Sequence, residues 1–294
     1  MSEDGSTADE LAGQVLERLR TGDDVSAAEA LKQSAEDLTR VLERLQSPSH
    51  PLADKQEVDA LLGPSEGPAE RMLAVLLPVV EYGGRSSLAT IPRALRHVAR
   101  KTSLMADSPR LGVGGTLVLG RLVWALAAYA ISCERLSGLA TAWRASSDPL
   151  HEEDIPGPLL ANPSLRHADI YGRTADRAYE DYRAWLQERS LLNERYALFL
   201  AELDAIFAEA DVLLALLSAS ATTRGRVYSH GLTAQTVNRL RARLAQPHWR
   251  SELAALFGAA EDALENVLAE AYQRLESDRR HWESPPAQLF PGGQ

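Results

Sequence analysis

Apolar residues recur three and four positions apart along most of the chain, the spacing that lines one side of an α-helix. Thr7-Ala-Asp-Glu10 has the form of a capping box and predicts a helix with Leu11, Val15 and Leu19 turned inward. Ser26-Ala-Ala-Glu29 opens a second, carrying Ala28, Leu31, Ala35, Leu38, Leu42 and Leu45 on one side. Residues 1–46 are therefore read as an N-terminal helical hairpin. From Ser47 to Pro68 the chain turns to Ser, Pro, Gly and charge, which predicts a linker over 47–68. Pro68 suits the first position of a helix that ends near Tyr82, where Gly83-Gly84 stops it, and the next helix is expected to carry Pro92 in its first turn.

The most apolar stretch follows. Leu111 to Gly120 and Leu122 to Cys133 carry no charge, and Arg121 alone interrupts them. An arginine in mid-bilayer costs several kcal/mol, so the pattern predicts a helix buried in a protein core and no membrane contact. Residues 69–146 form a predicted helical lobe, 147–163 an acidic, proline-containing loop, 164–283 a C-terminal helical lobe and 284–294 a flexible tail. In the last lobe Leu192, Tyr196, Phe199, Leu203, Ile206, Ala210, Leu213 and Leu217 alternate steps of four and three, with Leu200, Phe207 and Leu214 widening the stripe. That predicts one long central helix from about Leu191 to Leu217. A helix from about Thr233 to Gln246 meets Pro247, and a last long helix places Leu253 to Leu275 inward. No segment alternates apolar and polar residues in a β-rich composition. The expected fold class is all-α: a multi-helix, bundle-like body in two helical lobes.

Composition narrows the function. The 294 residues carry a net charge of −10 with 45% hydrophobic residues, which excludes disordered and collagen-like classes and repels nucleic-acid phosphate. Nucleic acid is thus possible as a partner but not favoured. Cys133 is the only cysteine, so intramolecular disulfides and cysteine-based zinc patterns are excluded. Acidic residues after Met1 do not suit a signal peptide, and cytoplasmic residence is the expectation. Gly115 to Gly120 has the spacing of a phosphate loop, but Arg121 and Leu122 stand where lysine and a hydroxyl are needed. His151-Glu152-Glu153-Asp154 lacks the ligand spacing of a zinc or calcium site. No metal and no cofactor are expected.

The charge is unevenly spread. Lys32, Lys55 and Lys101 are the only lysines among 31 basic residues. Arg93, Arg96, His97 and Arg100 are spaced for one helical face, and Arg224, Arg226, Arg239, Arg241, Arg243 and Arg250 form a second cluster. Arg93, Arg96, His97, Arg100, Arg239 and Arg243 are the candidate basic docking surface, for an acidic protein or RNA. The alternative is that these arginines pair with acids elsewhere on the body.

Arg224-Gly-Arg-Val-Tyr-Ser-His230 resembles the Arg-x4-6-His signature of the HEPN family of all-α ribonucleases, departing from it at Gly225. That resemblance implies proton transfer by His230 and charge stabilisation by Arg224, with no metal. Over residues 111–282 the order of Leu119 to Tyr129, Asp176 to Tyr182, Ala205 to Ala215 and Trp249 to Gly258 resembles the helical regions accompanying sirtuin-like, TIR or Schlafen-type effector domains of bacterial conflict and anti-phage proteins. This implies a sensing, regulatory or oligomerising module. The leading expectation is a non-enzymatic interaction, scaffold or regulatory protein in a bacterial defence or stress system, with a protein partner or homo-oligomer. The alternative is a HEPN-like metal-independent endoribonuclease using Arg224 and His230, and a weaker third reading is a small-ligand binder near Trp124 and Tyr129.

Overall fold

The computed structural model describes residues 7–45, 55–104, 112–136, 139–140, 175–221 and 229–279. The acidic loop at 147–163, the tail, Arg224 and Arg226 lie outside the described residues, as does the side chain of Arg100. Among the described residues there are twelve helices and no strand. None of those helices is long and apolar enough to cross a membrane.

The capping box forms: Thr7 Oγ1 accepts the Glu10 N–H while the Glu10 carboxylate accepts the Thr7 N–H at 2.9 Å. It starts α1 (Ala8–Arg20), and Gly22, at φ +82°, turns the chain into α2 (Asp24–Leu42). The linker expected over 47–68 is largely absent. A single helix, α3 (Lys55–Tyr82), runs straight through Pro64, Pro68 and Pro78. Proline in a helix interior costs roughly 3 kcal/mol. Here Leu62, Ala69, Met72, Leu73, Leu76 and Leu77 are buried on a helix packed by α1 and α2, and that burial outweighs the local penalty.

Asp24, the first residue of α2, reaches across to begin α4 (Arg85–Leu104). Its carboxylate accepts N–H bonds from Gly84 at 2.9 Å, Ser86 at 2.8 Å and Ser87 at 3.2 Å, together with the Ser87 hydroxyl. Helices α2 and α4 therefore start at the same end and run the same way side by side. Pro92 sits in the second turn of α4, later than its sequence setting suggests.

Helix α5 (Gly112–Ser132) is buried at every described side chain from Leu117 to Ile131, Arg121 included. It packs on α3, on α6 (Ala175–Gln187) and on α9 (Leu203–Ala221). At Gly120 the phenol of Tyr182 fills the space a Cβ would need, so the glycine sets how closely α5 and α6 approach.

The long helix expected from Leu191 to Leu217 is three: α7 (Ser190–Arg195), α8 (Ala197–Ala201) and α9 (Leu203–Ala221), with breaks at Tyr196 and Glu202. The first break lets Tyr196 and Phe199 both set their rings edge-on against Tyr129, each at 5.3 Å. Thr233 caps α10 (Ala234–Leu244), Pro247 opens α11 (Pro247–Phe257), and left-handed Gly258 ends it before α12 (Leu264–Arg279). The last helix read from the sequence is thus two. Buried residues from Ala12 to Leu275 make one continuous core among the described residues.

Candidate functional site

Ionic chemistry inside the body is concentrated in two clusters. In the first, Arg121 on α5 forks onto Asp181 of α6, Nε to Oδ2 at 3.1 Å and Nη2 to Oδ1 at 3.0 Å, and its Nη1 reaches Glu66 of α3 at 2.7 Å. Glu66 also accepts the Trp185 indole N–H at 2.6 Å and Arg189 at 2.7 Å. Both guanidiniums lie over the Trp185 ring, at 5.6 Å for Arg121 and 4.9 Å for Arg189. These groups, with Asp59 and Glu188, surround a cavity of about 200 Å³. Its inner side chains are bonded to one another, and the cluster fastens α3, α5 and α6 together.

The second cluster lies on α9. Glu209 is fully buried and takes Arg239 on one oxygen and Arg243 on the other, the latter at 2.7 Å. Arg243 also lies over Trp249 at 4.5 Å. Arg239 and Arg243, candidates for a docking surface, are thus bound to this carboxylate. Asp211, also buried, accepts from Ser229 Oγ and from the Gly231 N–H, both at 2.6 Å. These bonds pin the turn before α10, which comes so close that a Cβ on Gly231 would stand 2.5 Å from the Ala208 carbonyl oxygen. His230, between the two donors, is exposed, and its ring lies against Tyr179 at 4.6 Å. Burial first, and then the Asp211 charge, push the Tyr179 phenol up from its ordinary value, so it stays neutral. His230, Tyr179, Arg183, Asp204, Thr236 and Arg239 border an open cleft of about 520 Å³.

The basic stripe on α4 divides. Arg93 and His97 are exposed, whereas Arg96 is half buried and its Nε has no hydrogen-bond partner among the described residues. Arg93 and His97 stand on the lip of a second open groove of about 520 Å³ between α2 and α4. Ala28, Ala35 and Ala94 contribute its apolar lining, with Val25, 71% exposed, at one end and Glu29, Lys32 and Glu36 along the α2 edge. Lys32 pairs with Glu29 at 3.3 Å. Arg93 and His97 form no ion pair among the described residues.

Sequence reasoning missed Asp24, Glu66, Glu209 and Asp211. A signal for the last two was present: they are acids inside the otherwise apolar run from Ala205 to Leu217. No group of His, Cys, Asp and Glu among the described residues is arranged to hold a metal ion. The Cys133 thiol is pushed up to about 12, by burial first and then by Glu81. Comparison with known protein families, curated proteins and solved structures finds no match to this chain.

Proposed function

We propose that this protein is a non-enzymatic, all-helical interaction protein, a scaffold or regulator, that docks a partner's amphipathic helix in the α2/α4 groove. One observation supports this above the rest. Arg93 and His97 stand exposed on an open, alanine-lined groove with no ion pair of their own among the described residues, whereas Arg121, Arg189, Arg239 and Arg243 are held by buried or half-buried acids. A helix with a small apolar stripe and an acidic flank complements that surface. The resemblance of residues 111–282 to regions accompanying bacterial effector domains supports reading this role as part of a cytoplasmic defence or stress system. The test is a photo-crosslinking residue at Val25 in the source cells. A discrete protein adduct at Val25, lost on Arg93→Glu with His97→Glu, is expected. No adduct, or one indifferent to the charge reversal, refutes the groove as the docking site.

A second reading, a metal-independent endoribonuclease using Arg224 and His230, is favoured by the exposure of His230 on a cleft bordered by Arg183, Arg239 and Tyr179. Cleavage of single-stranded RNA by the purified chain that disappears in His230→Ala supports it. Absence of cleavage, or cleavage unchanged by that substitution, removes it.

A further inference from the structure

Helices α2 and α4 are pinned at a common starting level. The Asp24 carboxylate, on the first residue of α2, takes the N–H groups of Gly84, Ser86 and Ser87 at the start of α4. Both helices rise by about 1.5 Å per residue, so equal counts from that end reach equal heights. Glu36 stands twelve residues beyond Asp24 and His97 twelve beyond Arg85, which sets them level across the groove. Arg93 stands eight beyond Arg85, between the heights of Glu29 at five and Glu36 at twelve. The groove thus has an acidic edge on α2 and a basic edge on α4, matched in height. Lys32 lies between the two acids and pairs with Glu29, but both side chains are exposed, so that pair is weak and leaves the carboxylate open to a further partner.

An interface built about a two-fold axis sets one patch against a copy of itself, so the patch has to complement itself. This one does. An axis parallel to α2 and α4 leaves heights unchanged and lays α2 of each copy into the groove of the other. The entering ridge is Val25, Glu29, Lys32 and Glu36, spaced four, three and four. Ala28, Ala35 and Ala94 leave room beneath it, which permits an interaxial distance near the lower limit of about 8 Å. Val25, 71% exposed in one copy, is covered there. Glu36 meets the partner's His97 at its own height, and Glu29 lies within about 4.5 Å of rise of the partner's Arg93, less than one helical turn. A foreign helix with only acids on its flank would satisfy the α4 edge but face Glu29 and Glu36 on the other side. Helix α2 of a second copy brings Lys32 as well and so suits both edges.

We propose, resting on the groove as the docking surface, that its occupant is a second copy of this chain, each copy laying α2 along the other's α2/α4 groove about a two-fold axis.

Sedimentation equilibrium of the purified whole chain tests this, and a monomer–dimer equilibrium is expected. Arg93→Glu and Glu29→Arg each set like charges across the interface, twice per dimer, and each is expected to weaken association about tenfold. An equimolar mixture of the two variants is expected to recover wild-type association, because each altered edge then faces its opposite. A chain that stays monomeric at every concentration overturns the proposal, as does a dimer indifferent to both substitutions or a mixture no tighter than its components. Both positions are exposed, and circular dichroism verifies that the variants fold. Should either misfold, a photo-crosslinking residue at Val25 of the otherwise native purified chain decides: an adduct of doubled mass is expected, and its absence overturns the proposal. In the source cells, a Val25 adduct with a different protein, while the purified chain stays monomeric, overturns the second copy and leaves the groove standing as a docking site. No Val25 adduct in either setting removes both.

Discussion

Replacing Arg121 by methionine keeps most of the side-chain volume but removes the guanidinium on which Asp181 depends. The Arg121 side chain is 3% exposed and that of Asp181 8%, so water cannot step in for the lost partner. Glu66, 28% exposed, keeps Arg189 and the Trp185 indole and suffers less. Breaking a buried pair from one side costs about 3–5 kcal/mol, chiefly through the carboxylate left uncompensated. The same reasoning predicts that removing the second charge restores stability. Arg121→Met with Asp181→Leu is expected within about 1–2 kcal/mol of wild type, because a well-packed apolar pair of similar volume replaces a buried ion pair at little net cost. Urea unfolding followed by circular dichroism, analysed as a double-mutant cycle, measures both. If Arg121→Met alone costs less than about 1 kcal/mol, or the double variant is no more stable than the single, the cluster is not the fastening inferred for it.

Gly231→Ala is expected to destabilise the chain by about 1–3 kcal/mol, since the new methyl meets the Ala208 backbone and not a side chain able to swing aside; thermal denaturation reads the loss. Asp24→Ala uncaps α4 from a distance and is expected to cost about 1–2 kcal/mol at neutral pH. Burial raises the Asp24 pKa, but the bonds from Ser87, Gly84 and Ser86 together hold it below 3.8, so its contribution is lost as pH falls through that lowered value. The stability gap between wild type and Asp24→Ala is therefore expected to close in acid, and unfolding curves across that range check it. Cys133 is expected to react with N-ethylmaleimide slowly at pH 8 in the native chain and rapidly in urea, because the thiol is pushed up to about 12 and little thiolate forms.

What was legible in the sequence follows the range of the forces involved. The capping box at Thr7 and the helix start at about Thr233 depend on neighbours within one helical turn, and each forms at its expected place. Where local and tertiary preferences conflict, the local reading fails. Pro64 and Pro68 mark a linker by any local rule, yet burial of Leu62 and Ala69 keeps the helix continuous through both. Between Leu191 and Leu217 the periodicity is unbroken, but aromatic packing on Tyr129 divides the segment at Tyr196. The sites are less legible still. Arg239 and Arg93 look alike as members of basic clusters. Only packing puts one onto Glu209, 30 residues earlier in the chain, and leaves the other on an open groove.

The sequence by itself determined that this chain is all-α, which helix faces turn inward, and that a lone arginine enters its most apolar helix. Periodicity and capping are set by residues three and four apart, and they need no knowledge of the remaining fold. The tertiary structure decided which charges neutralise one another, that the buried residues described make one continuous core, and where Arg93, His97 and His230 meet open space. Those outcomes depend on partners as distant as the 123 residues separating Glu66 from Arg189, whose approach is settled only when the helices pack.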